Sequence, residues 1–230
     1  MSKEKMMSIV IVVLVVAVVL FVVFFGAGKM SKPLSSVNNA ALDSVASVNG
    51  VPIPRASFDA QLAIATTTYK TQGVDVADAT KLAAIRTQVL NDLINNELVA
   101  QGVKSSGTLA DDAEVETQFQ NILKQSGGAD KLKAQMTAAN LTEAKLKDNI
   151  TKQLTIQKFL LKNVDISTAT SSDAEIKKFY DDNTKGLKTP PKLKDVKEQI
   201  RQQIITNKQQ QLINAFLTAL RAKSDVKTSF

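Results

Sequence analysis

The sequence predicts a mainly α-helical protein that combines an N-terminal transmembrane helix with a helical domain carrying a small antiparallel sheet. Three observations lead to this fold class. Residues 8–28 are apolar and uncharged, most of the chain from residue 58 to residue 223 places apolar residues at helical spacing, and β-prone stretches occur near residue 50 and at the C-terminus. Because a lone terminal strand needs a partner, we expect the C-terminal strand to pair with the N-terminal hairpin.

The first element is the apolar run SIVIVVLVVAVVLFVVFFGAG. Its 21 residues extend about 30 Å as a helix, which matches the hydrocarbon core of a bilayer. A cleaved secretory signal is the alternative, since small residues follow at Gly26, Ala27 and Gly28, but the apolar part of such signals usually has about 7–15 residues. We therefore assign residues 1–7 to a cytoplasmic tail, 8–28 to a membrane anchor and 29–44 to a polar linker.

The charges around the anchor favour one orientation only slightly. Lys3, Lys5 and the terminal amine precede the span, whereas Lys29 and Lys32 follow it. This small bias keeps the N-terminus inside, so the protein is expected to cross the inner membrane once, with its C-terminal domain outside the cytoplasm. The chain has no cysteine, which permits this location without requiring it.

The soluble part opens with a predicted hairpin over residues 45–53. Asn49 and Gly50 form the strongest short hairpin signal, because both residues of such a turn need positive φ. Pro52 cannot donate to a strand ladder, so the second strand is expected to be short or at an edge. At the other end of the chain, Val226, Thr228 and Phe230 alternate with polar residues as in a strand.

Helical periodicity and capping signals divide the sequence between these strands into helices. The predicted helical segments are residues 58–72, 77–101, 112–126, 130–139, 142–163, a short one through Phe179 and Tyr180, and 192–223. The capping and breaking residues assigned to them are Ser57, Gly73, Gly102, Asp111 or Asp112, Asn140 with Glu143, and Ser172 with Glu175.

Composition argues against an enzyme. The chain has neither histidine nor cysteine, which removes the usual metal ligands and most nucleophile–base pairs. Neither a nucleophile-elbow motif nor a phosphate-binding glycine loop occurs. The net charge of +7 is dispersed and tryptophan is absent, so a nucleic-acid site is not indicated. We expect no catalytic residue, cofactor or metal.

The order of these segments resembles the SurA/PpiD/PrsA group of extracytoplasmic chaperones. The similar stretches are residues 45–62, which contain VNGVPIPRASF, then 88–106, 114–162 and 190–230. An anchor ahead of them is most like the PpiD arrangement. The resemblance implies a chaperone domain over residues 45–230 that binds unfolded proteins.

The sequence departs from that family in one respect. Many members insert a parvulin-type prolyl-isomerase domain before the C-terminal helix, but here only ten residues lead from Tyr180 to Pro190, too few for a domain. We divide the domain into residues 45–180, a linker at 181–191 where a parvulin domain would lie, and 192–230. The resemblance therefore implies chaperone activity without isomerase activity.

Four apolar residues of the third and fourth helices are candidates for a groove that holds a client, meaning a polypeptide bound by a chaperone. These residues are Phe119, Leu123, Leu132 and Met136. Methionine adapts to irregular partners, which favours Met136. The alternative is that all four are ordinary core residues, since apolar stripes at helical spacing usually face inward.

The expected partners are unfolded or nascent exported polypeptides, the lipid bilayer through residues 8–28, and the export channel. The expected function is ATP-independent binding of such polypeptides. The rival hypothesis is a membrane-tethered helical adaptor for one folded envelope partner. Suppressed aggregation of several unrelated proteins would indicate a chaperone, whereas one saturable partner would indicate an adaptor.

Overall fold

The computed structural model describes residues 43–229 of the chain. The predicted tail and membrane span, residues 1–28, lie outside the described residues, as does nearly all of the predicted linker. Between residues 43 and 229, none of the helices combines the length and the apolar character needed to span a bilayer.

The described part is mainly helical, with one small sheet, as the sequence predicts. It contains seven α-helices, one short 3₁₀ helix and three strands. In chain order these are β1 Ser44–Val48, β2 Val51–Pro54, α1 Arg55–Thr71, α2 Ala79–Ser106, α3 Asp112–Gln125, α4 Ala129–Ala138, α5 Glu143–Asn163, the 3₁₀ helix Ile166–Thr168, α6 Asp173–Thr184, α7 Leu193–Ala222 and β3 Val226–Thr228.

The sheet joins the two ends of the described chain, which confirms the predicted pairing. Its strand order is β2-β1-β3, and both pairs are antiparallel. Asn49 and Gly50 form the turn with φ values of 51° and 82°, as the hairpin signal requires. Asn49 also holds β3, because its backbone N–H donates to the Asp225 carbonyl and its side-chain oxygen accepts from the Asp225 N–H, both at 2.8 Å.

The described residues form two compact units. One unit comprises residues 43–159 and 217–229, and the other is Leu160–Phe216. The boundaries between the units fall within α5 and α7.

The core of the first unit forms where the sheet packs against α1 and α2. Its buried side chains are Val45, Ala46, Val48, Ile53, Phe58, Ile85, Val89, Leu90, Ile94 and Leu98. The end of α7 joins this core through Leu220, and Arg221 donates to the Asn91 side chain at 2.9 Å. The final turns of α7 therefore pack against this core.

The unit Leu160–Phe216 has a smaller core between α6 and α7. Ile176, Ile200 and Ile204 are buried there. Two long cations of α7 hold the segment before α6, because Arg201 donates to the Ser171 carbonyl at 3.2 Å and Lys208 donates to the Thr170 carbonyl at 2.8 Å.

Three predicted helix boundaries are wrong. Helix α1 begins at Arg55 rather than after Ser57, because the Arg55 N–H donates to the Asp43 carbonyl and starts the helix directly at the hairpin. Helix α2 runs through Gly102 and ends at Gly107, whose φ is +63°. Asn140 ends α4 in a left-handed conformation instead of starting α5.

Other boundaries follow the predicted signals. Helix α3 begins after Asp111, whose backbone N–H donates to the Glu114 carboxylate at 3.0 Å. Helix α6 begins with a full capping box, in which Ser172 and Glu175 exchange hydrogen bonds. These signals succeed because donor and acceptor are three residues apart and need no distant partner.

Candidate functional site

Helices α3, α4 and α5 carry the four predicted client-binding side chains and the contacts that position them. A tight turn joins α3 to α4, and Gly127 and Gly128 form it with φ values of 84° and 109°. Such values favour glycine, because a Cβ is strained there. The connection is therefore short, and it brings the C-terminal end of α3 close to the first turn of α4.

The structure divides the four predicted residues into two pairs. Phe119 and Leu132 are each only 6% exposed, which makes them core side chains of this part of the molecule. Leu123 and Met136 are half-buried, so each offers part of its surface to a partner.

Lys147 of α5 covers one face of Phe119. Its ammonium nitrogen lies 4.5 Å from the ring centroid, a distance at which the cation is attracted to the ring electrons. The same nitrogen pairs with Glu116 at 2.9 Å and with Glu143 at 3.2 Å. The hydrogen bonds that Lys147 donates to Glu116 and Glu143 raise the pKa of Lys147. This arrangement holds Phe119 in place and keeps it away from solvent.

A second lysine of α5 holds the beginning of α3. Lys158 pairs with Asp111 at 2.9 Å and with Glu114 at 2.6 Å. Its hydrogen bonds keep the pKa of both carboxyl groups below their ordinary values. All three groups are accessible to water, so each pair adds little stability. They link the beginning of α3 to α5.

Two exposed apolar residues near this region escaped the sequence analysis. Leu109, between α2 and α3, is 74% exposed, and Ile156 of α5 is 40% exposed. The two are linked through their neighbours, because the Ala110 N–H donates to the hydroxyl of Thr155 at 3.0 Å. The sequence does indicate that Leu109 is exposed, because a leucine between a helix-ending glycine and a helix-capping aspartate belongs to neither helix.

The arrangement offers apolar surface on which a partner could bind. Residues 43–229 contain no group of three or more side chains that could hold a metal ion. The charged groups described above pair with one another on the surface. Leu109, Ile156, Leu123 and Met136 each keep accessible apolar surface in this region.

Comparisons with known proteins place this arrangement in context. A family model described as SurA-like N-terminal domain matches residues 1–160. A similar solved structure comes from Campylobacter jejuni, from work on the virulence factor PEB4 and the periplasmic protein Cj1289, described as two structurally related SurA-like chaperones. It shares 18% sequence identity and a TM-score of 0.53, and the match covers 80% of this chain and 98% of that one. No curated protein matches the sequence.

Proposed function

The chain belongs to the family of SurA-like N-terminal domains, and on that basis we propose that it is a membrane-tethered chaperone that binds unfolded or newly exported polypeptides outside the cytoplasm. The family match over residues 1–160 is the observation that carries this proposal. The fold likeness to the C. jejuni chaperones over 80% of the chain supports it.

The exposed apolar side chains support client binding and suggest where it occurs. Leu109 and Ile156 offer the most accessible apolar surface beside α3, and Leu123 and Met136 offer smaller parts of theirs. An unfolded client presents apolar segments in no fixed order, so separate shallow contacts suit it better than one deep pocket. Binding of this kind needs no nucleotide, and the sequence lacks a phosphate-binding glycine loop.

The apolar run 8–28 supports the tethered part of the proposal. A bilayer anchor would keep the chaperone at high effective concentration near polypeptides that leave the export channel. The description of Cj1289 as a periplasmic protein agrees with a location of the helical domain outside the cytoplasm.

The connection between α6 and α7 supports the absence of isomerase activity. Residues 185–192 lead directly from one helix to the other. A short loop therefore occupies the position at which a parvulin domain would be inserted, and the chain has no histidine. We expect no acceleration of proline isomerisation in a test peptide.

Aggregation assays test the proposed function with the full chain held in lipid nanodiscs. Two unrelated, chemically unfolded proteins are diluted into nucleotide-free buffer, and light scattering is recorded. We expect both to be protected at roughly stoichiometric amounts of the chain. The double variant L109S/I156S should protect less, because each serine removes an exposed apolar contact.

The control is V51S, which changes an apolar residue of β2 whose exposure (43%) is close to that of Ile156 (40%). It should protect as well as the unchanged chain. If neither unfolded protein is protected and one folded envelope protein binds saturably, the adaptor hypothesis replaces the chaperone.

Photocrosslinking in cells tests the surface itself. A photoreactive residue at Met136 should capture many different exported polypeptides, whereas one at Val51, exposed on β2, should capture few. A single dominant product at Met136 would contradict the chaperone proposal.

A further inference from the structure

The connection between α6 and α7 is a structured loop with a defined turn. The Leu187 N–H donates to the Thr184 carbonyl at 3.0 Å. Between them, Lys185 has φ −57° and ψ 118°, and Gly186 has φ 89°, which are the angles of a type II turn. At the far end of the loop, the Tyr180 hydroxyl donates to the Pro191 carbonyl at 2.7 Å. The loop is therefore held at both ends.

This loop carries concentrated and uncompensated positive charge. Three lysines of the loop and one in the first turn of α7 are exposed, and in the part of the chain that the structure describes none of the four forms an ion pair. These are Lys185, Lys188, Lys192 and Lys194. The two carboxylates just before the loop are already paired, Asp181 with Lys177 and Asp182 with Lys178. Asp195, one residue beyond, is the nearest negative charge that lacks such a pair within residues 43–229.

An exposed leucine lies among these lysines. Leu187 is 53% exposed and immediately follows the turn, with Lys185 and Lys188 close by in sequence. Leaving a leucine in water forgoes the free energy of burying it. The combination of clustered lysines and one projecting apolar side chain suits a surface that is negatively charged outside and apolar beneath.

We propose that this basic loop, residues 185–194, binds the surface of an anionic phospholipid bilayer. The lysines contact the charged headgroups, and Leu187 enters the boundary between headgroups and acyl chains. An acidic polypeptide would also attract the lysines, but it offers no apolar layer for Leu187. The inference extends the proposed membrane tether, and it does not depend on client binding.

The absence of cysteine allows a single probe to be placed in the loop. The variant Thr189→Cys, labelled with the environment-sensitive dye NBD, is reconstituted as the full chain into phosphatidylcholine vesicles with or without phosphatidylglycerol. We expect a blue shift of the dye emission only in the vesicles that contain phosphatidylglycerol. Salt at 1 M, where the screening length is about 3 Å, should reverse it.

Charge variants separate the loop from the general charge of the protein. The change K185Q/K188Q/K192Q/K194Q should abolish the blue shift. The matched control K70Q/K81Q/K104Q/K133Q removes the same charge from exposed lysines that have no ion pair among residues 43–229, and it should preserve the shift. An equal loss in both variants would contradict binding by the loop.

Three further outcomes would overturn the proposal. These are an unshifted spectrum in phosphatidylglycerol vesicles that have incorporated the chain, an equal shift in neutral vesicles, and a shift in neutral vesicles that appears only when polyglutamate is added. The last would assign the loop to acidic polypeptides.

Failure of the tether is recognised separately, because the chain then does not float with neutral vesicles. In that case, flotation that requires phosphatidylglycerol still tests the loop.

Discussion

Gly102 lies inside α2 directly against the ring of Phe159 on α5. A Cβ built at this glycine would lie 2.5 Å from the ring Cζ, with two more ring atoms at 3.2 and 3.3 Å. Phe159 is only 5% exposed, so its ring has little room to move aside. The close approach of the two helices therefore depends on the missing side chain.

The variant Gly102→Ala tests this contact. Alanine is the better helix former by about 1 kcal/mol, but the added methyl group overfills the contact, and overpacking typically costs about 1–3 kcal/mol. We expect a net loss of stability in urea unfolding followed by circular dichroism. The cost should fall when Phe159 is changed to Leu in the same chain. A stabilised Gly102→Ala variant would show that the ring yields freely.

The same glycine shows where local sequence reasoning fails. A glycine late in a helical pattern predicts a helix end, and the sequence offered no sign that an aromatic ring 57 positions later (Gly102 to Phe159) would pack over it. Gly107 takes the predicted role instead, with the left-handed conformation that suits a residue without Cβ. Gly102 instead provides the space that the Phe159 ring occupies.

Candidate site residues show a similar division. Periodicity identified Phe119, Leu123, Leu132 and Met136 as one apolar set, but it could not say which of them α5 would cover. The Lys147 side chain that covers Phe119 comes from a helix that the pattern of α3 does not contain. The exposure of Leu109 depends on one loop, and helical periodicity gives no information there.

At the scale of elements, an ion pair links the N-terminus of α6 to the middle of α7. Glu175 accepts from the Ser172 N–H at 2.9 Å as the capping-box partner and also pairs with Lys208. Hydrogen bonds from Lys208 and then Ser172 lower the pKa of Glu175 from its ordinary 4.5 to about 2. The sequence predicted the capping box of Ser172 and Glu175. It did not predict the ion pair with Lys208, because that lysine belongs to another helix.

The lowered pKa predicts how acid acts on this element. A carboxyl group whose pKa is lower in the folded than in the unfolded state stabilises the fold at pH values above its unfolded-state pKa, here near 4.5. This stabilisation disappears as the pH falls toward the folded-state pKa of about 2. We therefore expect the stability difference between the unchanged chain and Glu175→Gln to be constant above about pH 5.5 and to shrink below pH 4.5. Urea unfolding monitored by circular dichroism over this pH range measures it.

The partner supplies the control for this prediction. Lys208→Gln removes the largest cause of the lowered pKa, so the acid-sensitive difference attributable to Glu175 should be smaller in that background. A difference between the unchanged chain and Glu175→Gln that does not vary with pH would contradict the assignment.

At the scale of the whole molecule, the two ends of the described chain close on each other. Asn49 and Asp225 are 176 positions apart, yet they exchange hydrogen bonds. The sequence predicted this closure because a hairpin signal and a lone terminal strand leave few other partners. It did not predict the division into two compact units, whose boundaries lie inside α5 and α7 and carry no break in helical periodicity.

Proline substitutions in β3 test the closure. The Ser229 N–H donates to the Val45 carbonyl of β1, and the Asp225 carbonyl accepts from Asn49 in the turn that follows β1. Antiparallel alternation then directs the Lys227 N–H toward β1 and the Thr228 N–H away from it. Lys227→Pro should cost about 1–3 kcal/mol, because it leaves a ladder acceptor without its donor. Thr228→Pro should stay within about 0.5 kcal/mol, since its N–H faces outward on an edge strand. Both side chains are exposed, so urea unfolding of the two variants compares the loss of a ladder hydrogen bond with little change in packing. Equal losses of stability in the two variants would contradict the register in which β3 pairs with β1.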